Sequence, residues 1–336
     1  MRTPVGVRAR PNHVKRTITA SVAVALICVP IFLVLLGAER KYVSIGVMVA
    51  IIAALILLYM SGKIGKKATM YIILIAVAVI MAFPFYSMVV MATRDNAELY
   101  KTPPPMFFGD SLVKNFEAMI KMVNVPRAFA NSLIISVSYT LLSLLFCSLG
   151  GYAFAMYKFR GKKSLFSLLM GTMMLPQIAT LIPWFILMTQ LGWINNFAAL
   201  IIPGCASAFG IFWMRQYCMN NVPSELMDAA RIDGCPEWQI FFRIVAPILK
   251  PAYSTLGIMC FTGSWNNFLN PFLVLRDSEY QTLPLMLKGI VGDPRRGPQT
   301  AALMMANVCV VIPVLIVFLV ASKYFISGLT AGAIKE

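Results

Sequence analysis

The chain has 336 residues, 59% hydrophobic and 12% charged, with a mean hydropathy of +0.78. A soluble domain carries about twice that charged share, so composition excludes an ordinary water-soluble fold and indicates an all-α, polytopic integral membrane protein. The net charge of +16 would suggest nucleic acid in a soluble protein, but here the basic residues sit in short connections between apolar runs, where topology explains them, and no nucleic-acid partner is expected.

A lipid bilayer needs about 20 apolar residues per spanning helix. Eight runs qualify: Ile18–Gly37, Val43–Met60, Met70–Thr93, Ala128–Tyr157, Ser164–Gln190, Phe197–Met214, Ala252–Leu275 and Ala301–Ser322. The first follows a basic tail, as a signal peptide would. It is too long for one and lacks a small-x-small cleavage site before Glu39, which predicts a retained helix. The chain therefore reads as a basic tail (1–17), a two-span hairpin (18–62) and a main transmembrane domain (70–336).

Orientation follows Lys and Arg in the short connections. The tail holds Arg2, Arg8, Arg10, Lys15 and Arg16; residues 61–69 hold Lys63, Lys66 and Lys67; residues 158–163 hold Lys158, Arg160, Lys162 and Lys163. The alternate connections are poorer in cations. Both termini and the segment 215–251 are thereby expected in the cytoplasm, with 94–127 and 276–300 outside. Of the cysteines, Cys28, Cys147, Cys205, Cys218, Cys235, Cys260 and Cys309, none lies in a segment read as external, and the one histidine is His13. They read as small apolar fillers, with neither a disulfide framework nor a metal site.

The segment "MDAARIDGCPEW" (Met227–Trp238) is polar in this apolar setting. Ser224 is a good N-cap after Pro223, and Glu225 and Asp228 suit the positive start of a helix. Asp228 and Arg231 are i,i+3 neighbours able to pair. Gly234 stands where a left-handed residue ends a helix, and Pro236 can open the next. Trp238, Phe241, Phe242 and Ile244 give that second helix an apolar face, and Pro247 and Pro251 break it. Two short helices joined by a glycine turn are predicted over 222–251, with Ala229 and Ala230 small enough to let a partner approach.

Asp228, Ala229, Ala230, Asp233 and Gly234, followed by Phe241, Ile244, Pro247 and Pro251, resemble the EAA loop of binding-protein-dependent ABC transporter permeases, which reads Glu-Ala-Ala-x-x-x-Gly with an Ile-x-x-Pro beyond it. The ending "KYFISGLTAGAIKE" (Lys323–Glu336) is similar to that of maltose-type carbohydrate permeases through Gly328, Leu329, Thr330, Gly332 and Lys335. "SWNNFLNPFLVL" (Ser264–Leu275), "NSLIISV" (Asn131–Val137) and "GYAFAMYKFRGKK" (Gly151–Lys163) resemble the same family. The likeness runs from about Met70 to the end.

The resemblance implies half of a channel in a bacterial or archaeal cytoplasmic membrane, with a six-helix core preceded by two extra spans. A second homologous permease would complete a heterodimer, a cytoplasmic ABC ATPase dimer would hold ATP and Mg, and an extracellular solute-binding protein would deliver a sugar. No cofactor, metal or catalysis is expected on this chain. Asp228, Ala229, Ala230, Asp233 and Gly234 would dock on the ATPase, and its closure would switch the spans between inward- and outward-facing states. The leading residue is Asp228 where the family has glutamate; Glu225, one turn earlier, is the candidate to compensate.

An ion-coupled secondary transporter is the alternative. Ion and proton sites usually need intramembrane charges, yet Ser164–Met214 contains no Lys, Arg, Asp or Glu. Neither "GKIGKK" (Gly62–Lys67) nor "GKKS" (Gly161–Ser164) fits a phosphate-binding loop, so ATP would come from a partner chain. The spans lack histidine, paired carboxylates and a nucleophile elbow, which argues against a membrane enzyme. Candidates to touch a sugar are Tyr139, Gln177, Trp184, Phe209, Trp213, Trp265, Asn266, Asn267 and Asn270, the three asparagines first. The competing reading makes the aromatics interfacial anchors and the amides bonds between helices. Pro84, Pro176, Pro183 and Pro203 are expected to break span helices.

Overall fold

The computed structural model describes residues 66–102, 104–291 and 299–333, with side chains to Leu319. The tail 1–17, the hairpin 18–62 with its spans Ile18–Gly37 and Val43–Met60, and Arg295, Arg296 and Lys335 lie outside the described residues. All regular structure among the described residues is helical. The chain divides at Ser87 into two compact units.

In the first unit the described part belongs to α1 (Lys66–Ala92), which runs on through Pro84. Met70, Tyr71, Leu74, Ile75, Met81 and Phe85 all stand exposed on it. A helix that is apolar all round and uncovered needs lipid as its solvent, because its backbone is bonded internally and its side chains offer water nothing.

The second unit is built on α4 (Val125–Met156), after the short α2 (Asn96–Leu99) and α3 (Leu112–Met122). Asn124 starts α4 by accepting the Arg127 N–H at 3.2 Å, with Pro126 in the first turn, where its missing N–H costs nothing. Lys162 ends it: its ammonium donates to the carbonyls of Ala155 (3.3 Å) and Tyr157 (2.8 Å), where the helix dipole is negative. Along α4 pack α8 (Ala208–Asn221) and α11 (Lys250–Trp265), and α14 (Thr300–Ala333) packs on α11. The helices come close at Gly151, where a Cβ would lie 2.5 Å from Met214 Cβ and 2.7 Å from the Arg215 nitrogen.

Several expected spans are interrupted. Ser164–Gln190 forms α5 (Lys162–Thr172) and α6 (Gln177–Gln190), bent by 99°. Pro176, extended at φ −61 and ψ 128, lies at the break, since it cannot donate to the preceding turn and disfavours helix at its neighbour. Phe197–Met214 forms only α7 (Ala198–Ile201) before Pro203, and α8 then continues past Met214 to Asn221. Ala252–Leu275 stops at Trp265 and resumes as α12 (Leu269–Val274). Pro183, like Pro84, stays inside a continuous helix, so only Pro176 and Pro203 of the four sit at breaks. Among the described residues three helices are long and apolar enough to cross a membrane, or five with two bent pairs, against the six expected there.

After α12, α13 (Leu283–Val291) returns to α4. Asn131, buried, donates to the carbonyls of Glu279 (2.8 Å) and Gln281 (2.9 Å), and Ser132 accepts the Leu283 N–H at 2.8 Å. These bonds pair the Glu279 and Gln281 carbonyls and the Leu283 N–H where polar loop backbone lies against an apolar helix.

Candidate functional site

Two regions combine the residues singled out above. The first is the helical hairpin of α9 (Ser224–Ile232) and α10 (Glu237–Ile248). Pro223 is the extended residue before α9 and Ser224 is its first helical residue, with no side-chain cap, so Ser224 does not cap as expected. The far end of α9 closes in a Schellman turn: the Cys235 N–H reaches the Ala230 carbonyl (2.9 Å) and the Gly234 N–H that of Arg231 (3.1 Å). Gly234 holds φ +78 in that turn, with open space where a Cβ would stand. Extended Pro236 then leads into α10, which widens into a π-helical stretch over Ile240–Val245 and meets α11 at 80°.

The hairpin is held from beneath. Met227, Ala230, Ile240, Phe241 and Val245 pack with Tyr152, Cys218, Val222 and Leu249. Burying each larger apolar side chain contributes about 1.5–3 kcal/mol. This corrects two expectations. Ala230 faces the protein's own core, leaving Ala229 exposed. Phe241 is buried, but Trp238 and Phe242 on the same helix are exposed by 60% and 52%.

Arg231 organises the outer surface. Its Nη1 donates to Asp228 Oδ1 (3.1 Å) and its Nε to Glu237 Oε1 (2.8 Å), while the Tyr157 hydroxyl donates to Glu237 Oε2. Tyr157 packs edge-on against Tyr152, which itself meets Phe241. One guanidinium thus ties α9 to α10 across the glycine turn, and one phenol ties both to the end of α4. Arg231 first, and Tyr157 after it, hold the Glu237 carboxyl below its ordinary range. A lowered carboxylate contributes stability above its unfolded pKa of about 4.3 and loses it as pH falls through the lower folded value. The protection of amides in residues 232–238, each exchange rate being divided into its intrinsic rate at the same pH, should therefore stay constant from pH 8 to about 5 and fall only below about 4. The variant Arg231→Gln should move that transition upward; identical profiles would show that the pair does not hold the hairpin.

The hairpin offers Glu225, Ala229 and Asp233 to solvent, and Asp228 stays exposed while paired with Arg231; Ile232 is exposed by 87% and Trp238 by 60%. Charge around exposed large apolar side chains is the make-up of an interaction surface. Sequence reasoning found Asp228 with Arg231 but missed Tyr157 and Glu237. Glu237 lies beyond the turn, out of helical register with Arg231, and Tyr157 is 80 residues away from it in the chain. Its position at the end of a span, before the cation-rich 158–163, was the one available signal.

The second region is a cavity of about 460 Å³ lined by Tyr139, Gln177, Trp184, Phe209, Asn267 and Asn270 together with Gly204, Ser207, Cys260 and Ser264. Most sequence candidates for substrate contact come together here from five elements. Gly204 makes room for Tyr139, whose ring would lie 2.9 Å from a Cβ. The remaining candidates do not line it. Trp265 is 1% exposed, stacked on Phe261, with its indole N–H donating to the Val310 carbonyl (3.0 Å), so it joins α11 to α14. Asn266 caps the end of α11 and is exposed elsewhere. Trp213 stacks on Phe209 and is absent from the lining. The asparagines separate because α11 stops between them: Asn267 Oδ1 accepts the Asn270 N–H at 3.3 Å and starts α12.

The fold belongs to a known class of membrane protein. It matches the crystal structure of a bacterial ABC transporter involved in the import of the acidic polysaccharide alginate, with a TM-score of 0.67 over 78% of this chain and 99% of that one, at 24% identity. The helices are arranged as in a chain of that transporter. Residues 147–331 match the family described as binding-protein-dependent transport system inner membrane component. The chain belongs to this family, the multi-pass membrane component of such importers. It is 36% identical over 262 residues, 77% of this chain and 93% of the relative, to the arabinooligosaccharides transport system permease protein AraQ of Halalkalibacterium halodurans. It is 34% identical over 265 residues, 79% of this chain and 95% of the relative, to the lactose transport system permease protein LacG of Rhizobium radiobacter.

Proposed function

We propose that the chain is the translocation subunit of an ATP-driven importer for a sugar or oligosaccharide, working as half of a heterodimer with a second homologous permease. A cytoplasmic ATPase dimer carrying ATP and Mg docks on the α9–α10 hairpin, and an external binding protein delivers the solute. This chain hydrolyses nothing itself. Both termini and the hairpin face the cytoplasm, consistent with the cation-rich connections at 61–69 and 158–163. The observation that carries the reading is the hairpin: a surface with Asp228, Ala229 and Asp233 outward, fixed from within by Met227, Ala230 and Phe241. Pushing on such a surface moves α9 and α10 together, because the guanidinium and the buried face bind the hairpin into one body. Asp228 shares its carboxylate with Arg231, and Glu225 adds a second carboxylate one turn away. The sugar reading draws on the arabinooligosaccharide and lactose permeases among the relatives.

Vesicles containing this chain alone should show no uptake of lactose or arabinooligosaccharide with or without an ion gradient. Adding the second permease, the ATPase and the binding protein should start uptake that depends on ATP. Ion-driven uptake by the chain alone would overturn the reading in favour of a secondary transporter.

A further inference from the structure

We propose that the cavity between α4, α6, α8 and α11 is a binding site, contributed by this chain itself, for one uncharged polyhydroxylated ring of the transported solute. The proposal rests on the sugar-importer reading above. At about 460 Å³ the cavity has the size of a small-molecule site. Its wall holds three side-chain amides, Gln177, Asn267 and Asn270, and the indole of Trp184, but among the described residues no Lys, Arg, His, Asp or Glu. Amides donate and accept, as a sugar hydroxyl does, and an indole offers apolar surface to a ring's C–H groups. A phosphate or carboxylate entering this wall would lose water without gaining a counter-charge.

A second observation points the same way. Beside the cavity lies a chamber of about 10 Å³, lined in part by Ser136 and Thr282 and sharing Ser264 and Asn267 with the cavity wall. The Ser136 and Thr282 hydroxyls are buried, at 1% and 4% exposure, and have no hydrogen-bond partner. Buried hydroxyls are rarely left so, and the chamber has room for about one water. A water there would pair with both hydroxyls and extend the hydrogen-bonding wall toward the solute through Ser264 and Asn267. An apolar solute has no use for such a wall, whereas a polyol matches it.

Cys260 lines the same cavity and supplies a probe. The complete importer in proteoliposomes is first assayed for ATP-driven uptake of lactose, arabinotriose and galacturonate. Cys260 is then alkylated with N-ethylmaleimide during turnover and read by peptide mass spectrometry. The neutral sugar that is taken up should slow labelling about tenfold, and galacturonate should not. In Asn267→Leu and Asn270→Leu complexes the protection should vanish and half-maximal uptake should need about tenfold more sugar. Unchanged Cys260 labelling with a transported sugar, or protection by galacturonate, would overturn the site. Should the thiol resist the reagent, the uptake arm decides, and half-maximal concentrations within twofold of wild type would overturn the site. Failure of the wild-type importer to take up any neutral sugar would instead bring down the sugar reading, and the proposal with it.

Discussion

Replacing Gly234 with valine should abolish ATP-driven uptake while the chain still inserts and accumulates in the membrane. The residue sits at φ +78, and nothing lies within 4 Å of where a Cβ would be. The penalty is therefore one of backbone conformation and not of crowding. A left-handed β-branched residue costs about 1–2 kcal/mol or more. The turn can escape that cost by leaving the Schellman geometry, which releases the Ala230 and Arg231 carbonyls and re-aims α10 relative to α9. The Arg231–Glu237 bond spans the same turn and would lengthen with it. In the proposed docking, a surface made of both helices would then no longer fit its partner. Uptake by the reconstituted importer should fall by more than about tenfold, and circular dichroism and membrane yield should match wild type. Asn tolerates the left-handed region and should restore most transport in Gly234→Asn. Normal uptake in Gly234→Val would remove the hairpin from the coupling mechanism.

Gly151→Leu should fail earlier, at folding. Here the obstruction is physical: a Cβ would meet Met214 Cβ at 2.5 Å and the Arg215 backbone nitrogen at 2.7 Å. Neither can rotate away, so α4 and α8 must separate along their contact. Overpacking costs about 1–3 kcal/mol where side chains can adjust, and more is expected where backbone blocks the way. Separation would also strain the cation–π contact of Arg215 with Phe166 (4.2 Å) and the bond from its Nε to the Phe154 carbonyl (3.3 Å). Membrane yield should drop several-fold and heat inactivation in detergent should begin at lower temperature. Gly171→Ala is the control, since a Cβ there meets nothing within 4 Å. Wild-type yield and melting for Gly151→Leu would show that the two helices do not pack as closely as described.

The two glycines differ in how far each could be read from the chain. Gly234 announced itself: a polar helix start, an Asp before it and a proline after it have one common solution, a helix stopped in the left-handed region. Nothing near Gly151 marks it. It lies in an apolar run beside Gly150, and what makes it irreplaceable is Met214, 63 residues on. The cavity shows the same division. Amides and aromatics in an apolar stretch are visible as candidates, but whether Trp265 faces a cavity or a core depends on the Val310 carbonyl, which only the packing of α14 on α11 supplies. Asn266 and Asn267 are adjacent in sequence yet part company because α11 ends at Trp265: Asn266 caps the helix and Asn267, beyond the cap, lines the cavity.

Local signals suffice wherever a single stretch of chain satisfies its own physics. Long apolar runs favour helices because lipid offers no hydrogen bonds. A proline–serine start and a glycine stop must bound a helix. That much established the membrane class, the hairpin and its family. Where the breaks in the long runs fall, which asparagine meets the cavity, and that Tyr157 locks the hairpin through Glu237 are matters of distant contact. Each depends on atoms brought together from helices far apart in the chain, and no local pattern encodes which partner a buried carbonyl, amide or phenol will find.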